Sequence, residues 1–191
     1  MLVNGKSYPF LNVEPTQYRF RFLGASTARI WRLSIQDEAG VMQTHLRIGN
    51  DTWLMPNPIA MKDFIMSPAQ RADVVMDFSG YAPGTVLYVV NTAEQTNGNG
   101  PQGTLDTVGT TGFSERIMKI VVGGSTPTTP QNTLTTASFL RDNTPILASE
   151  ISNRRTFEFG RSNGLWLINQ THFDSQISNN PMPVGVAEEW K

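Results

Sequence analysis

The chain reads as an all-β protein, a Greek-key β-sandwich, and three observations lead there. Several stretches alternate apolar and polar residues with a period of two, as strands buried on one face do. Sixteen glycines and twelve prolines, with many threonines and asparagines, punctuate those stretches as turns. No long amphipathic helical pattern interrupts them. About ten short strands separated by turns make a two-layer sandwich the natural way to bury their apolar faces. At 191 residues the chain has room for one large domain, or one and a half small ones, with a real core.

Taken in order, residues 8–15 and 17–23 are two strands joined at Pro15-Thr16. In the second, Tyr18, Phe20 and Phe22 share one face and Arg19 and Arg21 the other. The arginines are either solvated or paired with acidic residues of a neighbouring strand, such as Asp73 or Asp77. Residues 28–36 alternate again, Arg29, Trp31, Leu33 and Ile35 against Ile30, Arg32 and Ser34. Asp37 to Gly40 is a turn, and Val41 to Ile48 the returning strand. Pro56 and Pro58 lead into a strand from Ile59 to Met66. Pro68 fixes its own φ and pushes Ser67 out of the helical region, so a turn precedes the next strand. That strand places Arg71, Asp73, Val75 and Asp77 on one face and Ala72, Val74, Met76 and Phe78 on the other. Ser79-Gly80 and Pro83-Gly84 close it, and Thr85 to Val90 follows as in an antiparallel meander.

Between Asn91 and Ser114 the composition turns to Asn, Gly, Thr and Gln without periodicity, which reads as a long, mobile surface loop. Glu115 to Val122 is another strand. Gly123 to Pro130 is low-complexity and linker-like. A short helix is expected within Leu134–Leu147. Arg154 to Phe159 and Leu165 to Asn169 resume strand character, with a turn at Arg161 to Gly164. No internal repeat of 20–50 residues is evident.

Composition excludes several classes of function. Fifteen Lys plus Arg against sixteen Asp plus Glu give a net charge of −1, with no basic patch for nucleic acid and no polybasic run for an anionic membrane. No apolar run approaches the roughly 20 residues of a membrane helix. The start, Met1 to Gly5, has neither a basic segment nor an apolar core, so no export signal is read there. With no cysteine, disulfides play no part.

Candidate chemistry is sparse. Asp73 and Asp77 suit charge pairing with Arg71 better than a catalytic dyad. His45, between Thr44 and Leu46 on a strand, is read as a satisfied or exposed polar residue. His172 has Asp174 two positions on, at most a weak adventitious metal site. Met55, Met61, Met66, Met76, Met118 and Met182 are dispersed, as core filler is. Phosphate loops, nucleophile elbows and zinc spacings are absent. Asn50-Asp51-Thr52 and Asn169-Gln170-Thr171 match the glycosylation sequon, which matters in a eukaryotic secretory route.

Three stretches, in order, carry a family resemblance. Ser67 to Phe78 (Ser-Pro-Ala-Gln-Arg-Ala-Asp-Val-Val-Met-Asp-Phe) closely resembles the Ala-Pro-Ala-Glu-Arg-Ala-Asp-Val-Ile-Val-Asp-Phe strand in the middle cupredoxin domain of three-domain multicopper oxidases. Leu2-Val3-Asn4-Gly5, Pro9 to Pro15 and Tyr18 to Ser26 look like an earlier stretch of the same family. Asn169, Pro183-Val184-Gly185 and Glu188-Glu189-Trp190 look like a later one. The nearest branch is that of laccases, bilirubin oxidases and spore-coat laccases. Where the family has Gly-x-Asp-Gly-Gly, this chain keeps Asp51 but has Thr52 and Trp53, so a different backbone shape is expected there. Asp51, Pro68, Arg71, Asp73, Asp77 and Trp190 are read as structural; no catalytic and no metal-ligating residue is assigned.

The resemblance implies a cupredoxin-like sandwich. Residues 1–125 would be the middle domain, 126–149 a linker, and 150–191 the first strands of the following domain, cut short. It implies copper in the parent enzyme, as a type 1 site and a trinuclear cluster in domains outside this chain. A type 1 site needs a thiolate with two histidines, and this chain offers His45, His172 and no cysteine. The implied partners are the first and third cupredoxin domains, a phenolic or similar reductant, and dioxygen. The implied setting is extracellular, periplasmic or cell-surface. Exposed domain interfaces would lead to self-association. The alternative, from a different class, is a carbohydrate-binding or adhesion module of the same sandwich type.

Overall fold

Two units divide the chain in the computed structural model, Met1–Asp142 and Asn143–Lys191. The structure describes residues 1–125, 127 and 133–191. Of the expected linker, residues 126 and 128–132 therefore lie outside the described residues.

The first unit holds eleven strands among its described residues. β1 (Leu2–Val3) and β2 (Lys6–Ser7) form a small hairpin. Asn4 and Gly5 both have positive φ, 50° and 78°, the two-residue turn whose twist matches that of the strands. Then come β3 (Phe10–Val13), β4 (Gln17–Leu23), β5 (Trp31–Asp37), β6 (His45–Asn50), β7 (Trp53–Met61), β8 (Asp63–Met66), β9 (Arg71–Asp77), β10 (Val86–Asn91) and β11 (Glu115–Val122). A five-stranded sheet has the order β3-β11-β10-β5-β8 and a four-stranded sheet the order β4-β9-β6-β7. All these pairings are antiparallel except β3 with β11.

The core lies between the two sheets. Val13, Leu33, Ile35, Phe64, Met66, Leu87, Val89, Ile120 and Val122 come from the five-stranded side, and Ala72, Val74, Met76 and Phe78 from or beside the other. Tyr18, Phe20 and Phe22 pack onto that cluster, with Phe78 edge-on to both Tyr18 (5.8 Å) and Phe20 (6.2 Å). The alternation read in β4 and β9 is thus the alternation between core and outer face.

Several expectations for this unit need correction. β9 and β10 do not form a meander: the first joins the four-stranded sheet and the second the five-stranded one. The connection turns the corner of the sandwich, with Tyr81 packed on Phe78 at 6.3 Å. The strand expected from Ile59 to Met66 is two strands, β7 and β8, parted at Lys62, and β7 begins well before the prolines. Pro56 and Pro58 are accommodated because β7 is an edge strand, where a missing N–H costs no ladder bond. Residues 91–114 are not a loose surface loop. Ala93 and Val108 are fully buried, the Arg32 guanidinium donates to the Val108 carbonyl, and Gln95 donates to Ala28 and Asn97 and accepts from the Ile30 amide. Finally, Leu134–Leu147 contains no helix. The Gln17 side chain engages both the N–H and the carbonyl of Leu134, and a single 3-10 turn follows at Ala148–Glu150.

The second unit comprises β12 (Ile151–Arg155), β13 (Phe159–Ser162), β14 (Leu165–Ile168), β15 (Thr171–His172) and β16 (Ala187–Trp190). β12 pairs in parallel with β16, and β13-β14-β15 is an antiparallel sheet. Both of its turns are two-residue hairpins with positive φ at each central position, Asn163-Gly164 (50°, 80°) and Asn169-Gln170 (51°, 61°). The strand expected over Arg154 to Phe159 breaks at its middle, ending at Arg155 and resuming at Phe159.

Candidate functional site

The outer face of the four-stranded sheet gathers most of the residues singled out in the sequence. Opposite the aromatic face of β4, Arg19 pairs with the Asp73 carboxylate and Arg21 stands 3.6 Å from it. The register explains this, because Arg21 faces Asp73 directly across the β4–β9 ladder and Arg19 is the next residue on the same side. Of the two alternatives left open for the arginines, pairing is the one found. Arg71 does not pair with Asp73 or Asp77; it meets Asp51 at 3.3 Å, and its backbone N–H donates to the Asp51 carboxylate at 3.0 Å. Asp51 has φ +44° and is the residue of its turn in the left-handed region, Thr52 and Trp53 being outside it.

Pro68 sits in a tight turn, with the Gln70 N–H donating to the Ser67 carbonyl at 3.2 Å and Ala69 at φ +65°. Two backbone bonds tie this turn to the end of β4: the Ala69 N–H donates to Gly24 (2.8 Å) and the Gly24 N–H to Gln70 (3.0 Å). The approach is so close that a Cβ on Gly24 would lie 2.5 Å from the Ser67 carbonyl oxygen.

Asp77 accepts from the Ser79 N–H (2.9 Å) and hydroxyl (2.6 Å) and from Gln17 Nε2 (3.0 Å). Partial burial alone would raise its carboxyl, but the hydrogen bonds from Ser79 and Gln17 outweigh it and hold the group below the usual carboxylate range. Gln17, Thr44, His45, Leu46, Val75, Asp77, Leu134 and Thr135 line a small cavity of about 240 Å³ at this end of the sheet.

His45 departs from the expectation of a satisfied or exposed residue. It is 2 % exposed, lies edge-on to Phe64 at 5.7 Å, and neither ring nitrogen makes a hydrogen bond of ordinary geometry. Burial lowers its pKa, partly offset by the Gln43 backbone and Asp63, so the ring is neutral at pH 7. In the five-stranded sheet, Arg32 Nε and Nη2 hold one Asp63 oxygen at 3.0 and 2.9 Å.

In the second unit, Trp190 donates to Glu188 at 3.1 Å and packs edge-on against Phe157 at 5.2 Å. The Arg155 Nη2 hydrogen bond (3.0 Å) and the Trp190 contact hold the Glu188 carboxyl below its usual range. His172 and Asp174 border a shallow depression with Gln170 and Phe173, and His172 is exposed. Asn169 has its side-chain amide engaged at both ends, by the Glu158 N–H and the Thr156 carbonyl.

Among the described residues, no three His, Cys, Asp or Glu side chains come together as a metal-holding set. Copper of the type 1 kind does not fit what this chain offers, since its thiolate ligand has no counterpart in a sequence without cysteine. On this face the charged and hydrogen-bonding groups Arg19, Arg21, Arg71, Asp51, Asp73 and Asp77 are engaged with one another or with neighbouring residues.

The comparisons give the class first: the chain has the cupredoxin-like sandwich fold. It superimposes with a TM-score of 0.72 on the McoA multicopper oxidase of the hyperthermophile Aquifex aeolicus, at 21 % identity, over 96 % of this chain and 38 % of that one. By sequence, it is 34 % identical over 195 residues to a bilirubin oxidase of Albifimbria verrucaria, covering 99 % of this chain and 32 % of that protein. It is 29 % identical over 197 residues to a laccase of Bacillus subtilis, covering the whole of this chain and 34 % of the laccase. Over nearly its full length the chain is similar to multicopper oxidases of the laccase and bilirubin-oxidase kind. It spans about a third of the length of these curated relatives. No protein-family model matches it.

Proposed function

We propose that this chain is the middle cupredoxin domain of a laccase-like multicopper oxidase, followed by the first strands of the third. The observation that carries this reading is full-length similarity to one third of the relatives, in a chain that has no cysteine for a type 1 centre. In the parent enzyme, copper held by the flanking domains supplies the redox chemistry, oxidising a phenolic or similar reductant and reducing dioxygen to water. This chain's own residues do architectural work. The sandwich core sets the spacing of the neighbouring domains, and an outer face lends a wall to the substrate cleft, where ligands commonly sit between domains. The Arg19–Asp73–Arg21 and Arg71–Asp51 pairs keep the outer face of β4 and β9 ordered for that contact.

The test is a graft. The matching stretch of the Bacillus subtilis laccase is replaced by this chain, and phenol oxidation is followed with copper loaded. A soluble, copper-loaded graft that oxidises phenols is the expected result. Alone, the chain mixed with cupric ion and a phenolic dye gives no turnover; turnover by the chain alone overturns the reading.

A further inference from the structure

From Leu134 to Arg141 the chain contacts the four-stranded sheet. At Leu134 the contact has the form of a β-ladder made by a side chain. Gln17 Oε1 accepts from the Leu134 N–H at 2.7 Å, and Gln17 Nε2 donates to the Leu134 carbonyl at 3.0 Å while also reaching Asp77. An amide side chain presents one donor and one acceptor, as a strand edge does, so it reads backbone and not sequence.

Further on, the segment meets β7, the edge of the same sheet. Asn57 Nδ2 donates to the Ser138 carbonyl (3.0 Å) and the Leu140 N–H donates to the Pro56 carbonyl (2.8 Å). The Arg141 guanidinium lies over the Trp53 ring, 4.0 Å from its centre. Between these anchors the segment holds its own shape. Ser138 N–H donates to the Thr135 carbonyl, and its hydroxyl accepts from the Thr135 N–H, both at 3.0 Å. Burial follows the anchors: Leu134, Ser138, Leu140 and Arg141 are half-buried, Thr135 to Ala137 and Phe139 are exposed, and every residue from Asp142 to Glu150 is exposed.

We propose that Gln17, Asp77 and the β7 edge form a peptide-docking surface, and that its occupant is this chain's own segment Leu134–Arg141, held by recognition and not by covalent connection alone. The surface takes an extended peptide whose backbone N–H and C=O meet Gln17 and whose arginine, seven residues on, covers Trp53. It accounts for where the first unit ends, one residue past the last anchor. It stands on contacts within that unit and does not depend on the oxidase reading.

The experiment places a specific protease site after Ser125, which is exposed and precedes the segment. The full chain is purified, cut, and run on a gel-filtration column. The cut chain stays in one peak, while the cut Gln17→Ala, Trp53→Ala variant separates into two. The residues 1–125 part of each cut chain is then parted from the remainder in urea, refolded and checked by circular dichroism; a fluorescent peptide of residues 133–142 binds the unmodified part and binds the Gln17→Ala, Trp53→Ala part at least about tenfold more weakly, as loss of two hydrogen bonds and a ring contact predicts. Circular dichroism of each uncut variant establishes that it is folded. If both cut chains stay joined, or both separate and the peptide fails to bind, the proposal is overturned.

Discussion

The two units of this chain are built from the same kind of strand but are held in different ways. In Met1–Asp142 the strands close on a core in which Val74, Phe78, Leu87, Ile120 and Val122 are wholly removed from water. In Asn143–Lys191 no described residue is buried; Phe159, Trp166, Phe173 and Val184 are 74–100 % exposed. What organises the second unit is local. Two tight hairpins set the register of β13, β14 and β15, the Asn169 amide closes the end of β14, and ion pairs join β12 to β16. The contrast teaches that turn chemistry fixes which residues face each other, whereas burial fixes how firmly. Isolated hairpins without a buried face are marginal in water.

The largest test of this contrast compares one aromatic from each unit. Phe78→Ala removes the centre of the aromatic cluster and is expected to destabilise the first unit by about 3–5 kcal/mol in urea unfolding. Phe159→Ala, on an exposed ring, is expected to change the same transition by less than about 0.5 kcal/mol. Equal effects would break the comparison. Next, Arg32→Ala removes the Asp63 pair and the anchor of the 91–114 loop. A loss of about 1.5–3 kcal/mol is expected, with faster amide exchange at Val108.

His45 gives the contrast a pH dependence. Its folded pKa lies below its unfolded one, so the unfolded chain binds the extra proton. Stability is complete above about pH 6.5 and falls on acidification below it, by at most about 1.4 kcal/mol per pH unit. His45→Leu should flatten the profile between pH 5 and 7, read from urea midpoints; an unchanged slope sinks the assignment. Asp77 acts lower, its contribution being lost as pH falls through the carboxylate range. Smaller still, Arg71→Ala breaks an exposed pair with Asp51 and should cost about 0.2–1 kcal/mol. Last, Trp166→Ser should leave that urea transition unmoved yet reduce self-association in light scattering, if the bare face of the second unit is what joins copies.

The first unit was the more legible in sequence, for a physical reason. Alternation reports which face of a strand is apolar, and in β4 and β9 that face packs on a core, so Tyr18, Phe20, Phe22, Val74 and Met76 were placed correctly. Alternation says nothing about which sheet a strand joins, so the corner between β9 and β10 leaves no sign in it. His45 departs from the sequence reading because burial of a polar ring leaves no periodic mark beyond its place in the β6 pattern. Val108 was the sign that the 91–114 stretch is anchored: an aliphatic residue within a run of Gly, Thr and Asp. The hold of Gln17 on Leu134 joins residues 117 apart and leaves no local trace. At the candidate face, Asp51, Arg71, Asp73 and Asp77 were named, but their partners were set by register, which sequence does not print.

The parallel pairing of β3 with β11 has a mechanical consequence. Phe10 to Val13 lies against Lys119 to Val122, and the ladder is continued by Lys119 N–H to Pro9 and Gly123 N–H to Val13. Tension between the segment before Pro9 and the segment after Gly123 therefore runs lengthwise along the ladder. It loads these rungs together in shear, where an antiparallel terminal pair would peel apart one rung at a time.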